Sequence, residues 1–156
     1  MHHYHARLTW TGNTSSGTSD YRAYNRDYEL RFAGKTNVLR GSADPHFRGD
    51  PTRYNPEEMP LGALSACQLL WYLHLCADAG IRVLAYQDAP TGTLEIDADG
   101  GGRFCGVDLY PTVTLAPGAD AERARGLHQT AHARCFIANS CNFPVRHHVR
   151  LQTETS

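Results

Sequence analysis

The chain has 156 residues, 41% of them hydrophobic and 20% charged, with a formal net charge of −1. Length and composition suit one domain over residues 1–156, large enough to bury a core. Near-neutral charge without a basic stripe excludes nucleic acid as an expected partner, and the opening Met1-His2-His3-Tyr4-His5 carries no charged-then-apolar signal pattern.

Residues 4–10 (YHARLTW) alternate weakly and predict a strand. Residues 12–19 (GNTSSGTS) predict a turn or loop, and residues 21–33 (YRAYNRDYELRFA) a second strand. Gly34 to Tyr54 reads as a long loop rich in Gly, Pro and Asp, the kind that is functional or disordered in a compact domain. A well-marked helix follows. Asn55 stands at the N-cap, Pro56 at the first helical position, and Glu58 completes a capping box. Glu57 adds negative charge to the first turn, and Gly80 is a left-handed stop.

Apolar residues on nearly every face predict a helix buried on most sides. Pro60 predicts a kink or a delayed helix start. The apolar run Leu61–Ala77 is short for a membrane span and holds Ser65, Gln68 and His74, so a central helix and no membrane are expected. Residues 81–88 and 91–97 predict strands, and residues 103–115 a long strand bulged at Gly106 or Pro111. A second helix begins near Ala119 or Asp120 and breaks near Cys135; residues 144–151 (PVRHHVRL) form a last strand. The order β-β-α-β-β-β-α-β predicts an α+β domain, a strongly bent antiparallel sheet around a long central helix.

Five cysteines, Cys67, Cys76, Cys105, Cys135 and Cys141, make an odd count. With no signal pattern, that argues against a secreted disulfide scaffold and for a reducing cytoplasm. Cys67 lies mid-helix, where free cysteine is commonly a core residue. Cys76 is nine residues on, roughly 13 Å along the axis and half a turn out of phase, so the two cannot pair. Cys76 and Cys105 read as structural and Cys141 as packing. His128, His132 and Cys135 stand at i, i+4 and i+7 on one helical face. That makes a zinc site an alternative, although no paired C-x-x-C supplies further ligands. For Glu57 capping alone is a sufficient role, and for Arg48 a solvated loop. A functional reading pairs them. Arginine near a thiol lowers its pKa from roughly 8.5 and stabilises a departing peroxide oxygen, while a carboxylate orients the guanidinium.

The run FRGDPTRYNPEEMPLGALSACQLLWYLHLCADAG, followed by LHQTAHARCFIANSCNFPV, resembles the OsmC/Ohr family of osmotically inducible and organic hydroperoxide resistance proteins. The resemblance spans roughly residues 40 to 150 and rests on two linked motifs, NPEE-x(8)-C and a second cysteine opening C-x-x-x-N-S. It implies a thiol-dependent peroxidase of the two-cysteine type, with no cofactor and no metal. Cys67 takes the peroxidatic position and Cys135 the resolving position, closing a disulfide that a dithiol donor, such as a lipoyl-bearing protein, reduces. Glu57 matches the family glutamate and Arg48 the arginine, with Arg22, Arg26 and Arg53 as alternatives. Pro60 and the extra Cys141 depart from the pattern.

Glu57 and Cys67 are ten residues apart, roughly 15 Å along one helix, so a shared site needs the glutamate of a second subunit. An intertwined two-fold homodimer is the expectation. The competing reading is a non-catalytic protein on the same fold that binds a small hydrophobic ligand or a lipoyl group, with Trp71 and Tyr72 near Cys67.

Overall fold

Alternating side chains and turn chemistry shape the N-terminal sixty residues. β1 (Ala6–Trp10) pairs antiparallel with β2 (Tyr28–Phe32), which pairs antiparallel with β3 (Leu39–Gly41). The computed structural model describes residues 1–154, whose contacts divide into two compact units, Met1–Pro60 and a second beginning at Leu61. β2 is shorter than the expected 21–33. Asp20 turns the chain first: its side chain accepts from the Arg22 amide at 2.9 Å and its carbonyl from the Ala23 amide at 3.0 Å. At Gly12 a Cβ would fall 1.8 Å from the Asn25 carbonyl oxygen, so this crossing of the connecting segment requires glycine. The expected long loop carries β3 and a 3-10 turn, Pro45–Phe47, capped by the Asp44 side chain on the His46 amide at 2.7 Å.

The helix signals convert into hydrogen bonds. Asn55 Oδ1 accepts from the Glu58 amide at 2.9 Å, and Glu58 Oε2 accepts from the Asn55 amide at 3.0 Å, a reciprocal capping box. The regular helix α1 runs Glu58–Asp78. Its start is delayed as Pro60 predicts, because proline offers no N–H to the Pro56 carbonyl. In the observed first turn a missing donor costs little. At the other end the Ile81 amide bonds the Cys76 carbonyl at 2.8 Å and the Gly80 amide the Ala77 carbonyl at 3.1 Å. This is a Schellman stop with Gly80 at φ 70°.

Within the second unit, β6 (Gly102–Leu109) and β7 (Thr112–Leu115) form one strand bent at Pro111. β8 (Val145–His147) and β9 (Arg150–Thr153) repeat the bend at His148 and Val149. The last strand is therefore two short ones. β6 pairs parallel with β8 and β7 parallel with β9, while β5 (Thr91–Ile96) and β4 (Val83–Gln87) pair antiparallel on the outer edges. Backbone bonds from His148 to Leu109 (2.8 Å) and from Arg150 to Pro111 (2.9 Å) carry the pairing through the bend. The expected bulge lies beside Gly106: Thr93 faces Gly106 and Leu94 faces Phe104, leaving Cys105 as the extra residue. The fold is thus mixed α+β with a strongly bent sheet, but its pairing is not purely antiparallel.

The second helix, α2 (Ala121–Arg134), starts at Asp120, whose side chain accepts from the Arg123 amide at 2.9 Å. Tyr72, Leu75, Cys76 and Ile81 pack with Val113 and Leu115 from β7 and Ala124 and Ala131 from α2. Leu64 packs with Val107 and Leu109 of β6. One stripe of α1, Leu64, Gln68, Tyr72, Leu75 and Cys76, is buried at helical spacing. The expectation of burial on most sides fails within one chain, since Leu70 is 67% exposed and Leu73 is exposed as well. At 21 residues α1 is long enough to cross a bilayer, yet its buried stripe packs on a sheet and includes an amide side chain.

Candidate functional site

Helical spacing on α1 places Leu70, Trp71 and His74 on the face of Cys67, at i+3, i+4 and i+7. These four residues and Phe136 line a cavity of about 350 Å³. The aromatic walls are ordered by edge contacts: the Trp71 ring meets Phe136 at 5.8 Å and His74 at 5.8 Å. The Arg134 guanidinium stands over Trp71 at 5.7 Å, giving this wall a cation that the sequence reading did not single out.

Cys135 lies just past α2, which stops one residue before it. Its backbone is extended (φ −69°, ψ 109°) and its amide closes the helix on the His132 carbonyl at 3.1 Å. The Sγ is buried and accepts from the Ala138 amide at 3.4 Å. Burial first, and the facing Cys67 thiol second, push the Cys135 thiol up to about 11. Cys135 is therefore a protonated thiol at neutral pH, with the Cys67 thiol facing it. Both are free thiols, and Cys67 is the more accessible of the two. An accessible sulfur lining an apolar cavity, faced by a buried protonated one, can accept an oxygen atom and then close a disulfide.

The other cysteines stay apart from this pair. Cys76 is buried in the core, and burial raises its pKa. Cys105 is exposed on β6 with its Sγ 3.5 Å from Glu95 Oε2. Cys141 packs near Leu64 and donates to the Ile137 carbonyl at 3.3 Å.

Glu57 and Arg48 belong to the first unit. Glu57 is half-buried with an unpartnered Oε2, and it raises the pKa of Tyr28, second to burial. Arg48 is exposed, in a left-handed conformation (φ 65°) that closes the 3-10 turn. Among the described residues no ion pair joins the two. Of the alternatives, Arg53 pairs with Asp27 (3.3 Å) and Asp50 (3.4 Å). Arg26 donates to the Tyr21 and Tyr24 carbonyls, both at 2.6 Å, beneath their rings. No Arg22 ion pair is found among the described residues.

The zinc alternative lacks geometry. Cys135 turns toward Cys67, whereas the His128 ring stacks on Tyr72 at 3.7 Å. Among the described residues, no group of three or more His, Cys, Asp and Glu side chains is arranged to hold a metal ion.

Comparison with known proteins supplies the family. The model for OsmC-like protein matches residues 49–150, which contain both cysteine motifs. The chain belongs to the OsmC-like protein family. Its fold is that of an OsmC-like protein of unknown function from Vibrio cholerae, at 29% identity and TM-score 0.85, covering 96% of this chain and 99% of that one. An organic hydroperoxide resistance protein OsmC from Legionella pneumophila aligns at 17% identity and TM-score 0.68, covering 99% and 98%. OhrB of Bacillus subtilis, also an organic hydroperoxide resistance protein, aligns at 18% identity and TM-score 0.59, covering 95% and 98%. No curated protein sequence matches the chain. The OsmC-like match spans the segment that carries Glu57, Cys67 and Cys135.

Proposed function

We propose that this OsmC-like protein reduces organic hydroperoxides in the cytoplasm through Cys67 and Cys135. The observation that carries the reading is an accessible free thiol, Cys67, lining a cavity walled by Leu70, Trp71 and Phe136, with the buried free thiol of Cys135 facing it. The apolar walls hold the organic part of the peroxide. The Cys67 thiolate attacks its terminal oxygen, the O–O bond breaks, and the alkoxide leaves as the alcohol after taking a proton. Cys67 becomes a sulfenic acid. The Cys135 sulfur then attacks Cys67, the S–O bond breaks, and hydroxide leaves as water with the Cys135 proton. A dithiol, of lipoyl type, returns two electrons by exchange and is itself oxidised to a disulfide.

Arg48 and Glu57 complete the proposal from a second copy of the chain in a homodimer, polarising the thiolate and the leaving oxygen. Helical spacing supports a second subunit, and so do the exposed apolar residues Leu70, Leu73, Phe136 and Ile137. Light scattering at micromolar concentration tests the dimer: an active monomer overturns it. The chemistry is tested by mass spectrometry after one equivalent of cumene hydroperoxide. A Cys67–Cys135 disulfide is expected. An unmodified Cys67 sinks the reading and leaves a protein that only binds apolar ligands.

A further inference from the structure

A second cavity of the same unit, about 660 Å³, opens between α2 and the β8–β9 segment. Its volume is that of a small-molecule site. α2 contributes Arg125, His128 and His132 on one face; the bent strand contributes Arg146, His147 and His148. Its lining includes no cysteine, so nothing in the thiol chemistry uses it.

The decisive side chain is His128, only 3% exposed. Gln68 Nε2 donates to the His128 carbonyl oxygen at 3.1 Å. Only the amide nitrogen can make that bond, so the Gln68 side chain is fixed in orientation. The same nitrogen lies 3.5 Å from His128 Nδ1. A donor facing Nδ1 requires a lone pair there, which places the proton of the neutral ring on Nε2. Nε2 is buried and has no acceptor among the described residues. His132 Nδ1 and His147 Nε2 are likewise buried without partners, and their rings meet at 4.6 Å. Such groups call for a hydrogen-bonding ligand.

The charges choose the ligand. Arg125 contributes a guanidinium, tied to the Val149 carbonyl through one N–H at 3.0 Å. The nearby carboxylates are already engaged. Asp108 takes Arg146 (2.8 and 3.0 Å) and His148 (2.8 Å), while Asp88 accepts from Ser65 and from the Tyr110 amide at 2.7 Å. Burial first, then His147 and Arg125, hold His128 at about 4; burial first, then His132, hold His147 at about 4. At neutral pH both rings are therefore neutral hydrogen-bonding groups. A metal ion needs the Nε2 lone pair that the Gln68 contact removes, and Arg125 repels it. We propose that this cavity binds the anionic oxygen group, carboxylate or phosphate, of a small molecule, with His128 Nε2–H and the Arg125 guanidinium as its donors.

Histidine side-chain ¹H–¹⁵N correlation spectra of the whole protein test this directly. Sodium phosphate and sodium citrate are titrated separately at constant ionic strength. The untitrated protein is expected to show His128 as the Nε2–H tautomer. A saturable shift of that resonance in either titration is expected, and the salt that produces it identifies the ligand class. In Arg125→Gln, a substitution at an exposed position, affinity is expected to fall at least about tenfold with the loss of a charge-assisted bond. Four results overturn the proposal: an Nδ1–H tautomer at His128; no saturable shift with either salt up to about 10 mM, above the range of ordinary weak sites; unchanged affinity in Arg125→Gln; or saturable zinc binding through His128 Nε2. The tautomer is read on the unmodified chain, so the test stands whether or not the variant folds.

Discussion

Two cavities of the same unit, one lined mainly from α1 and the other from α2 and the last strands, differ in their chemistry. Around Cys67 the walls are Leu70, Trp71 and Phe136, and the reactive atoms are sulfur. Around His128 the walls are imidazoles and guanidinium groups, and no nucleophilic thiol is present. Consecutive residues of α1 serve the two: Cys67 faces the first cavity, and Gln68, about 100° further round the helix, braces His128 behind the second. An apolar wall keeps water from a sulfenic acid and accepts a hydrocarbon tail. A polar wall with unpartnered donors does neither, and suits an anion. One helix thus divides the proposed thiol site from the proposed anion site by turning a single residue.

The largest expected effect falls on the first cavity alone. Cys67→Ser is expected to lower hydroperoxide turnover with a dithiol by more than about 10³-fold, since the nucleophile is lost. The histidine resonances of the second cavity should stay in place; if they move together with activity, the two cavities are not independent. Next in size is Cys135→Ser. Steady-state turnover should fall about 10²-fold, while one equivalent of alcohol still forms and a sulfenic acid persists on Cys67. Rapid quenching with a sulfenic-acid trap measures it. Full steady-state turnover in this variant would remove Cys135 from the cycle.

Acid should act on the second cavity first. His128 and His147 are each held at about 4 in the folded chain, below the ordinary value of 6.5. As pH falls from about 6.5, the unfolded chain takes up these protons before the folded one does. The stability due to the neutral rings is complete above that pH, declines through the window, and is gone below about 4. The loss is on the order of 3 kcal/mol for one ring, and less than twice that for both because the rings interact. Urea unfolding at stepped pH checks the slope. His128→Phe retains an aromatic face for Tyr72 and should flatten the decline; an unchanged slope would assign it to other groups.

Local signals were the legible ones. The Asn55–Glu58 box, the Gly80 stop, the Pro60 delay and the Asp120 cap are each set by residues within one turn of each other, and each formed. Three walls of the thiol cavity follow from helical spacing off Cys67. Phe136 does not, because it lies beyond the extended Cys135 that ends α2. The approach of Cys135 to Cys67 depends on how two helices pack across sixty-eight positions of sequence, which periodicity cannot encode. The second cavity was hidden for the same reason. PVRHHVRL reads as one alternating strand, yet it bends at His148 and Val149 and runs parallel to a strand bent at Pro111.

A smaller change calibrates both cavities by touching neither. Asn55→Ala removes the cap of α1 and is expected to cost about 0.5–2 kcal/mol in urea unfolding, with the histidine resonances unmoved. Shifts there would mean that fraying at the helix start reaches the second cavity.

The smallest expected effect is the sharpest test of how the cavities are divided. Gln68→Met keeps the volume of a buried side chain while removing the bond to the His128 carbonyl. It also removes Gln68 Oε1, a buried acceptor without a partner, so part of the loss is returned. Net stability should change by less than about 1 kcal/mol. The His128 tautomer, however, loses the donor that fixes it, and its Nδ1–H form should become populated in the ¹H–¹⁵N spectrum. Disulfide formation between Cys67 and Cys135 should proceed at the parent rate, because methionine still fills the stripe between Leu64 and Tyr72. A variant that keeps its stability and its disulfide chemistry but releases the imidazole proton isolates what Gln68 does for the second cavity. A variant that loses disulfide formation instead shows that the Gln68–His128 contact aligns the helices for the thiols, and that the cavities are one device.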